Sequence, residues 1–209
     1  PSSIPPRPIG PPCRRHLRRL GRANSRGCHK RFVTNSTAYR LIHGEGDRLP
    51  GLIVDRYDQA LVMQTLAFGM DRRKTMLADL LAEVTDVKTI YLRNDPKSRT
   101  LEGLPLERGF ARGSGATTIE ITEGEAVFRV NMESGQKTGW FCDQRENRLA
   151  AARYANGAEV LEAFCHTGAF GIHAALAGAA SVEGLDVSED SLAIAREHAR
   201  RNRVESRCR

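Results

Sequence analysis

The 209-residue sequence has no apolar run approaching the roughly 18 uninterrupted residues of a membrane span, which excludes a transmembrane reading. Its first residues lack the apolar core of a signal peptide, so a cytoplasmic protein is expected. Cysteine is sparse: Cys13, Cys28, Cys142, Cys165 and Cys208 form no CxxC pair, so neither a disulfide framework nor a zinc ribbon is indicated. His16 and His29 stand near Cys13 and Cys28 without regular ligand spacing, and no metal site is expected. There is one tryptophan, and no internal repeat. Acidic residues are wholly missing from positions 1–44, which carry ten Lys and Arg residues and leave 22 basic against 25 acidic side chains for the remainder. Such an arm attracts a polyanion by counterion release without reading its sequence, although a partnerless basic tail has the same composition.

What is present falls into three stretches, bounded near residues 1–35, 36–116 and 117–209. The opening PSSIPPRPIGPP is proline-rich and lacks a periodic apolar face, which predicts an extended or disordered arm, with at most a marginal helix over 14–33. Segments 38–43, 51–57, 60–66 and 89–93 read as short strands between turn signals. Residues 71–84 read as an amphipathic helix with Met76, Leu77, Leu80, Leu81 and Val84 on one face and Asp71 as its cap. These make a small α+β unit, followed by a polar, glycine-bearing stretch over 94–116. Residues 118–131 alternate around Glu123-Gly124, as a hairpin does. A helix is expected from about Asp143, itself placed to cap it, to Tyr154.

The last third carries the sharpest pattern. A buried strand over 159–164, a small-residue helix over 169–177, a strand over 181–186 and a helix over 188–201 opened by Ser188 imply parallel strands with crossover helices, an α/β fold. The tail 204–209 does not read as a further strand. The first strand runs into Cys165-His166-Thr167-Gly168-Ala169-Phe170-Gly171, a tight turn at the carboxyl end of a strand, where open α/β sheets bind ligands. Gly168 lets the backbone approach a ligand closely. Asp186, at the end of the second strand, is placed to accept both ribose hydroxyls of an adenosine. No GxxxxGK[ST] exists to cradle phosphates, and the dinucleotide GxGxxG pattern is incomplete. S-adenosylmethionine has no phosphate and fits better, with Glu162 facing its positively charged part; a dinucleotide and a purely structural turn remain open.

Residues 135–145 (GQKTGWFCDQR), followed by 160–171 (VLEAFCHTGAFG), resemble the bacterial large-subunit ribosomal RNA cytosine-5 methyltransferases. Residues 39–47 and 49–57 are similar to that family's middle domain, so that the resemblance runs over about 36–202. It implies a class I, Rossmann-like methyltransferase domain preceded by a small α+β domain, S-adenosyl-L-methionine as methyl donor, and RNA, ribosomal by expectation, as acceptor. By position it implies that Glu162, Phe164, Thr167, Gly168 and Asp186 line the cofactor site, with Gln144 and Arg145 closing over it. Arg145 reads equally as a solvated charge at a helix start, and Phe164 and Phe170 as core residues. Trp140 and Phe141 read either as base-stacking rings or as loop packing.

The chain departs from the family pattern at three points. Glu162 replaces the usual Asp; basic residues stand where a small RNA-binding domain is common; and the later Asp-Pro-Pro segment and its downstream cysteine are missing. The methyltransferase domain is therefore expected to be incomplete at its C-terminus. Cytosine C5 chemistry needs a cysteine thiolate on C6 and a base for the C5 proton. Neither Cys142 nor Cys165 matches that nucleophile, so no catalytic residue is assigned. A non-catalytic RNA-binding protein and a methyltransferase with another acceptor are the competing readings.

Overall fold

The computed structural model describes residues 35–209. The basic arm, and the marginal helix expected within it, lie outside the described residues. The described chain divides into two units, residues 41–115, and residues 35–40 together with 116–209. No helix among the described residues is long and apolar enough to cross a membrane.

The first unit is built on a five-stranded sheet in chain order: β1 (Ala38–His43), β2 (Leu52–Tyr57), β3 (Ala60–Thr65), β4 (Thr89–Asn94) and β5 (Glu107–Arg112). Strand β1 enters it from residues 38–40, which belong to the second unit. β2 and β3 pair antiparallel from Tyr57↔Ala60 outward, because Asp58 takes the left-handed conformation a two-residue turn needs. After β3 come a short helix α1 (Phe68–Asp71) and α2 (Lys74–Thr85), which buries Leu77, Ala78, Leu80, Leu81 and Thr85 and returns the chain to β4, parallel to β3. Asp71 does not cap α2, whose N-cap is Arg73 without a side-chain bond. Its carboxylate instead accepts from Thr65 Oγ1 at 2.9 Å and Arg99 Nη2 at 3.0 Å.

The polar stretch after β4 folds into a 3-10 turn (Lys97–Glu102) and β5. Arg99, fully buried, holds it: the guanidinium donates to Thr65 O, twice to Pro105 O and to Asp71.

The second unit opens with the hairpin β6 (Thr118–Glu123) and β7 (Ala126–Asn131), in register from Glu123↔Ala126. Residues 35–37 run alongside β6, with Thr37 N donating to Thr122 O and Gly124 N to Asn35 O. A 3-10 turn (Cys142–Gln144) leads into α3 (Arg145–Ala152). Asp143 does not cap this helix; it pairs with Lys137 across the preceding loop, and Gln144 stands at the cap without a side-chain bond.

Strand β8 (Glu159–Ala163), helix α4 (Ala169–Leu176), strand β9 (Ser181–Leu185) and helix α5 (Glu189–Arg201) follow, with β8 and β9 parallel in register from Glu159↔Ser181 to Ala163↔Leu185. Ser188 caps α5, its hydroxyl accepting from Ser191 N at 3.2 Å. β8 is covered on one face only, since Glu159, Leu161 and Ala163 are exposed. The tail forms no further strand, in keeping with its sequence, but it makes an isolated parallel bridge to β9. Val182 N donates to Arg207 O, Gly184 N to Arg209 O and Arg209 N to Val182 O, so residues 207–209 begin a parallel pairing on the outer edge of β9. The unit's core is centred on Phe128, whose ring meets Trp140, His173 and His198 at centroid distances of 4.7, 5.7 and 5.2 Å.

Candidate functional site: the turn between β8 and α4

The β8–α4 turn is held in an unusual backbone. Phe164, His166 and Gly168 all adopt left-handed φ angles, +59°, +50° and +74°. For two residues with side chains this costs of order 1–3 kcal/mol each and persists only where the surroundings over-determine it, a pattern that clusters at ligand sites. The surroundings are visible. Asp186 Oδ2 accepts the His166 N–H at 2.8 Å and Oδ1 accepts the Ser188 N–H at 2.9 Å, so one carboxylate at the end of β9 ties the turn to the start of α5. These N–H groups, Ser188 first, hold the Asp186 carboxyl below its ordinary range. At Gly168 a Cβ would come within 3.0 Å of Ala195 Cβ, which keeps the turn seated on α5.

Glu162 reaches from β8 to the first turn of α4, where its Oε2 accepts the Gly171 N–H at 2.7 Å. Burial pushes this carboxyl up, against the backbone N–H groups of Gly171 and Phe170 and the charge of Arg148. Among the described residues it has no ion-pair partner within salt-bridge distance. A half-buried carboxylate short of a counter-ion is suited to a cationic group on a ligand.

A cavity of about 180 Å³ opens at the turn, lined among others by Gln144, Arg148, Glu162, Phe164, His166 and Thr167. The expected site residues separate accordingly. Glu162, Phe164, Thr167 and Gln144 meet at this cavity, and Phe164, 86% exposed, is not a core residue. Gly168 forms the bend and caps α4. Asp186 stands beside the cavity, linked to it through His166. Arg145 points to its neighbour Glu146, with Nε donating at 3.0 Å.

Phe141 packs edge-on against His166 at 5.5 Å and carries Lys137 Nζ 4.3 Å above its ring. Trp140 is buried against Phe128, which is packing rather than an exposed stacking face. Cys165 is buried beneath the turn, and burial together with the Glu162 and Asp186 charges pushes its thiol up to about 11. It is not a thiolate at neutral pH and does not suit nucleophilic attack. Among the described residues no cluster of His, Cys, Asp or Glu is arranged to hold a metal ion.

Two groups of residues escaped the sequence reading. His198 of α5, fully buried, accepts the Arg129 N–H on Nε2 at 3.0 Å and donates from Nδ1 to Thr167 O at 3.0 Å, joining the hairpin to the β8–α4 turn. Glu123, fully buried at the end of β6, receives Arg148 Nε at 2.6 Å and Nη2 at 2.7 Å, His173 Nε2 at 3.1 Å and Trp140 Nε1 at 3.4 Å. Burial raises its carboxyl, but the His173 and Arg148 hydrogen bonds and the Arg148 charge overcome this and hold it at about 2. No local signal marks either residue; only their partners in other elements do.

Comparison with known proteins gives a consistent picture. Residues 100–207 match the family model described as S-adenosylmethionine-dependent methyltransferase. Ribosomal RNA large subunit methyltransferase I of Shewanella amazonensis is 46% identical over 161 residues, covering 77% of this chain and 41% of the relative. The protein of that name from Aeromonas hydrophila is 39% identical over 172 residues, covering 81% and 43%. The chain thus spans about two fifths of the length of these curated relatives. Among solved structures, one described as a SAM-dependent methyltransferase from Streptococcus mutans superposes with a TM-score of 0.77 at 20% identity, covering 94% of this chain and 51% of that one. A methyltransferase solved with S-adenosylhomocysteine gives 0.77 at 24% identity, covering 93% and 50%.

Proposed function

The chain belongs to the S-adenosylmethionine-dependent methyltransferase family, and from that premise we propose that it carries the cofactor-binding part of an enzyme that methylates large-subunit ribosomal RNA, at C5 of a cytosine. The fold is that of a class I methyltransferase domain. The observation that carries the site assignment is the turn at residues 164–168, strained at Phe164 and His166, with the Glu162 and Asp186 carboxylates on either side of it.

The residues present suit S-adenosylmethionine. Asp186 would accept the ribose hydroxyls, and Glu162, short of a counter-ion, would face the cationic amino-acid end. Phe164, Thr167 and Gln144 would complete the wall, with Gly168 giving the backbone room and Arg145 closing from α3. When bound, the sulfonium supplies an electrophilic methyl group. This chain's residues would bind and orient it. The C6-attacking thiolate is assigned to no described residue: burial pushes the Cys165 and Cys208 thiols up, and Cys142 does not match the nucleophile's position in the family pattern. The rRNA target rests on the names of relatives at 39–46% identity, and the cytosine on the motifs at 135–145 and 160–171. A cofactor-free RNA-binding role would leave the strained turn and the Glu162 carboxylate without a purpose.

The test is isothermal titration of the chain with S-adenosylhomocysteine. Saturable one-site binding is the expected result; no heat and no thermal shift at millimolar ligand would overturn the assignment. For the acceptor, the chain should bind large-subunit RNA in competition with bulk tRNA, and equal affinity for both would remove the ribosomal reading.

A further inference from the structure

Arg148 lies between two carboxylates. It lines the same cavity as Glu162, and its charge already favours the ionised form of that carboxyl. Its hydrogen bonds, however, go elsewhere: Nε and Nη2 grip Glu123 in a bidentate pair at 2.6 and 2.7 Å, and Nη2 also donates to Phe141 O at 3.1 Å. The guanidinium face is packed over the Trp140 ring at 5.0 Å and the Phe170 ring at 6.0 Å. A planar fork so held has little freedom to turn. Removing a partner from a buried pair leaves the other charge to seek the nearest opposite one. Glu162, which lines the same cavity and whose ionisation the Arg148 charge favours, is a carboxylate within its influence.

We propose that Glu123 is a positioning residue of the cofactor site: it clamps Arg148 so that the guanidinium cannot neutralise Glu162, which stays available for the ammonium of the ligand's amino-acid end. This rests on the proposed assignment of Glu162 to the cofactor. The alternative role, a buried pair that merely joins the hairpin to α3, makes different predictions. A loss of packing would weaken every ligand of the site alike. A loss of the free carboxylate would weaken only ligands that carry the ammonium.

Two probes separate these roles, S-adenosylhomocysteine, which has the ammonium, and 5′-methylthioadenosine, which lacks the amino-acid end. Both are titrated by calorimetry into the wild-type chain, Glu123→Gln, and the double variant E123Q/R148M, with far-ultraviolet circular dichroism and thermal melting recording the fold. Glu123→Gln is expected to weaken S-adenosylhomocysteine about tenfold or more while leaving methylthioadenosine within about twofold. The double variant, with the cation gone, is expected to regain most of the loss. Equal weakening of both probes, no weakening, or no recovery in the double variant would each overturn the proposal. A wild-type chain that binds neither probe would instead overturn the cofactor assignment beneath it. Should Glu123→Gln not fold, Arg148→Lys carries the same test: an ammonium cannot make the bidentate pair, and it must weaken S-adenosylhomocysteine and spare methylthioadenosine.

Discussion

The N–H of Gly171 and the Oε2 of Glu162 stand 2.7 Å apart, and a Cβ on Gly171 would meet that same oxygen at 2.7 Å and Val182 Cγ1 at 2.8 Å. The glycine is therefore the seat of the carboxylate. Gly171→Ala must push Glu162 aside and is expected to weaken S-adenosylhomocysteine about tenfold. Calorimetry with the variant checks this, and unchanged affinity would mean that the position of Glu162 is immaterial to the ligand.

Asp186 holds the turn from outside, through His166 and Ser188. Asp186→Ala removes both the backbone acceptor and the expected ribose acceptor, with little effect on packing. Cofactor affinity should fall about ten- to a hundredfold while the melting temperature moves by only a few degrees. A titration that matches wild type would remove Asp186 from the site.

His198 gives the molecule a dependence on mild acid. Burial lowers its folded pKa below the ordinary value, opposed by its bonds to Thr167 and Arg129 and by Glu197, and assisted by Arg201. The unfolded chain takes up this proton first. The contribution is therefore complete above an unfolded pKa of about 6.5 and is lost as the pH falls from there toward the folded value. Melting followed between pH 5 and 8 should show a decline below 6.5 that is shallower in His198→Gln. Parallel curves would show that another group sets the slope.

Arg99 stabilises the first unit. Arg99→Ala leaves the Asp71 carboxylate and the carbonyls of Thr65 and Pro105 without their donor, an expected loss of about 3–5 kcal/mol. Urea unfolding measures it, and a loss under about 1 kcal/mol would mean that water replaces the guanidinium.

Much of this molecule is legible in its sequence, and what is not has a common cause. The alternation of strands and helices over 159–201, the Ser188 cap and the Glu123-Gly124 turn depend on near neighbours, and they are visible as periodicity and turn chemistry. The misread features depend on distant partners. Asp143 resembles a cap, but Lys137 claims its carboxylate. Glu123 reads only as half of the hairpin turn, and its burial against Arg148, 25 positions on, has no local signal. β5 has no apolar alternation and is a strand because the free edge of β4 accepts it. The isolated bridge of Cys208 to Val182 forms because β9 offers unpaired backbone groups, and the tail's own side chains give no signal of it. The candidate site follows the same division, for the proposed Glu162, Gly168 and Asp186 sit at the ends of legible elements, whereas His198 and Arg148 reach across elements.

The pairing of residues 35–37 with β6 also bears on how the chain folds. Ser36 and Thr122 are bonded across 86 positions, and the whole of residues 41–115 is spooled out between the two partners. In a chain growing from its N-terminus, residues 35–37 must wait for the hairpin to be synthesised, while the residues between can already be folding. A folded intervening unit shortens the span still to be closed, lowering the entropy cost of joining the ends below that of a bare loop of about 80 residues. Synthesis therefore places this closure after residues 41–115, and a substitution that slows the folding of those residues, far from the β8–α4 turn, would delay completion of the second unit without altering its final form.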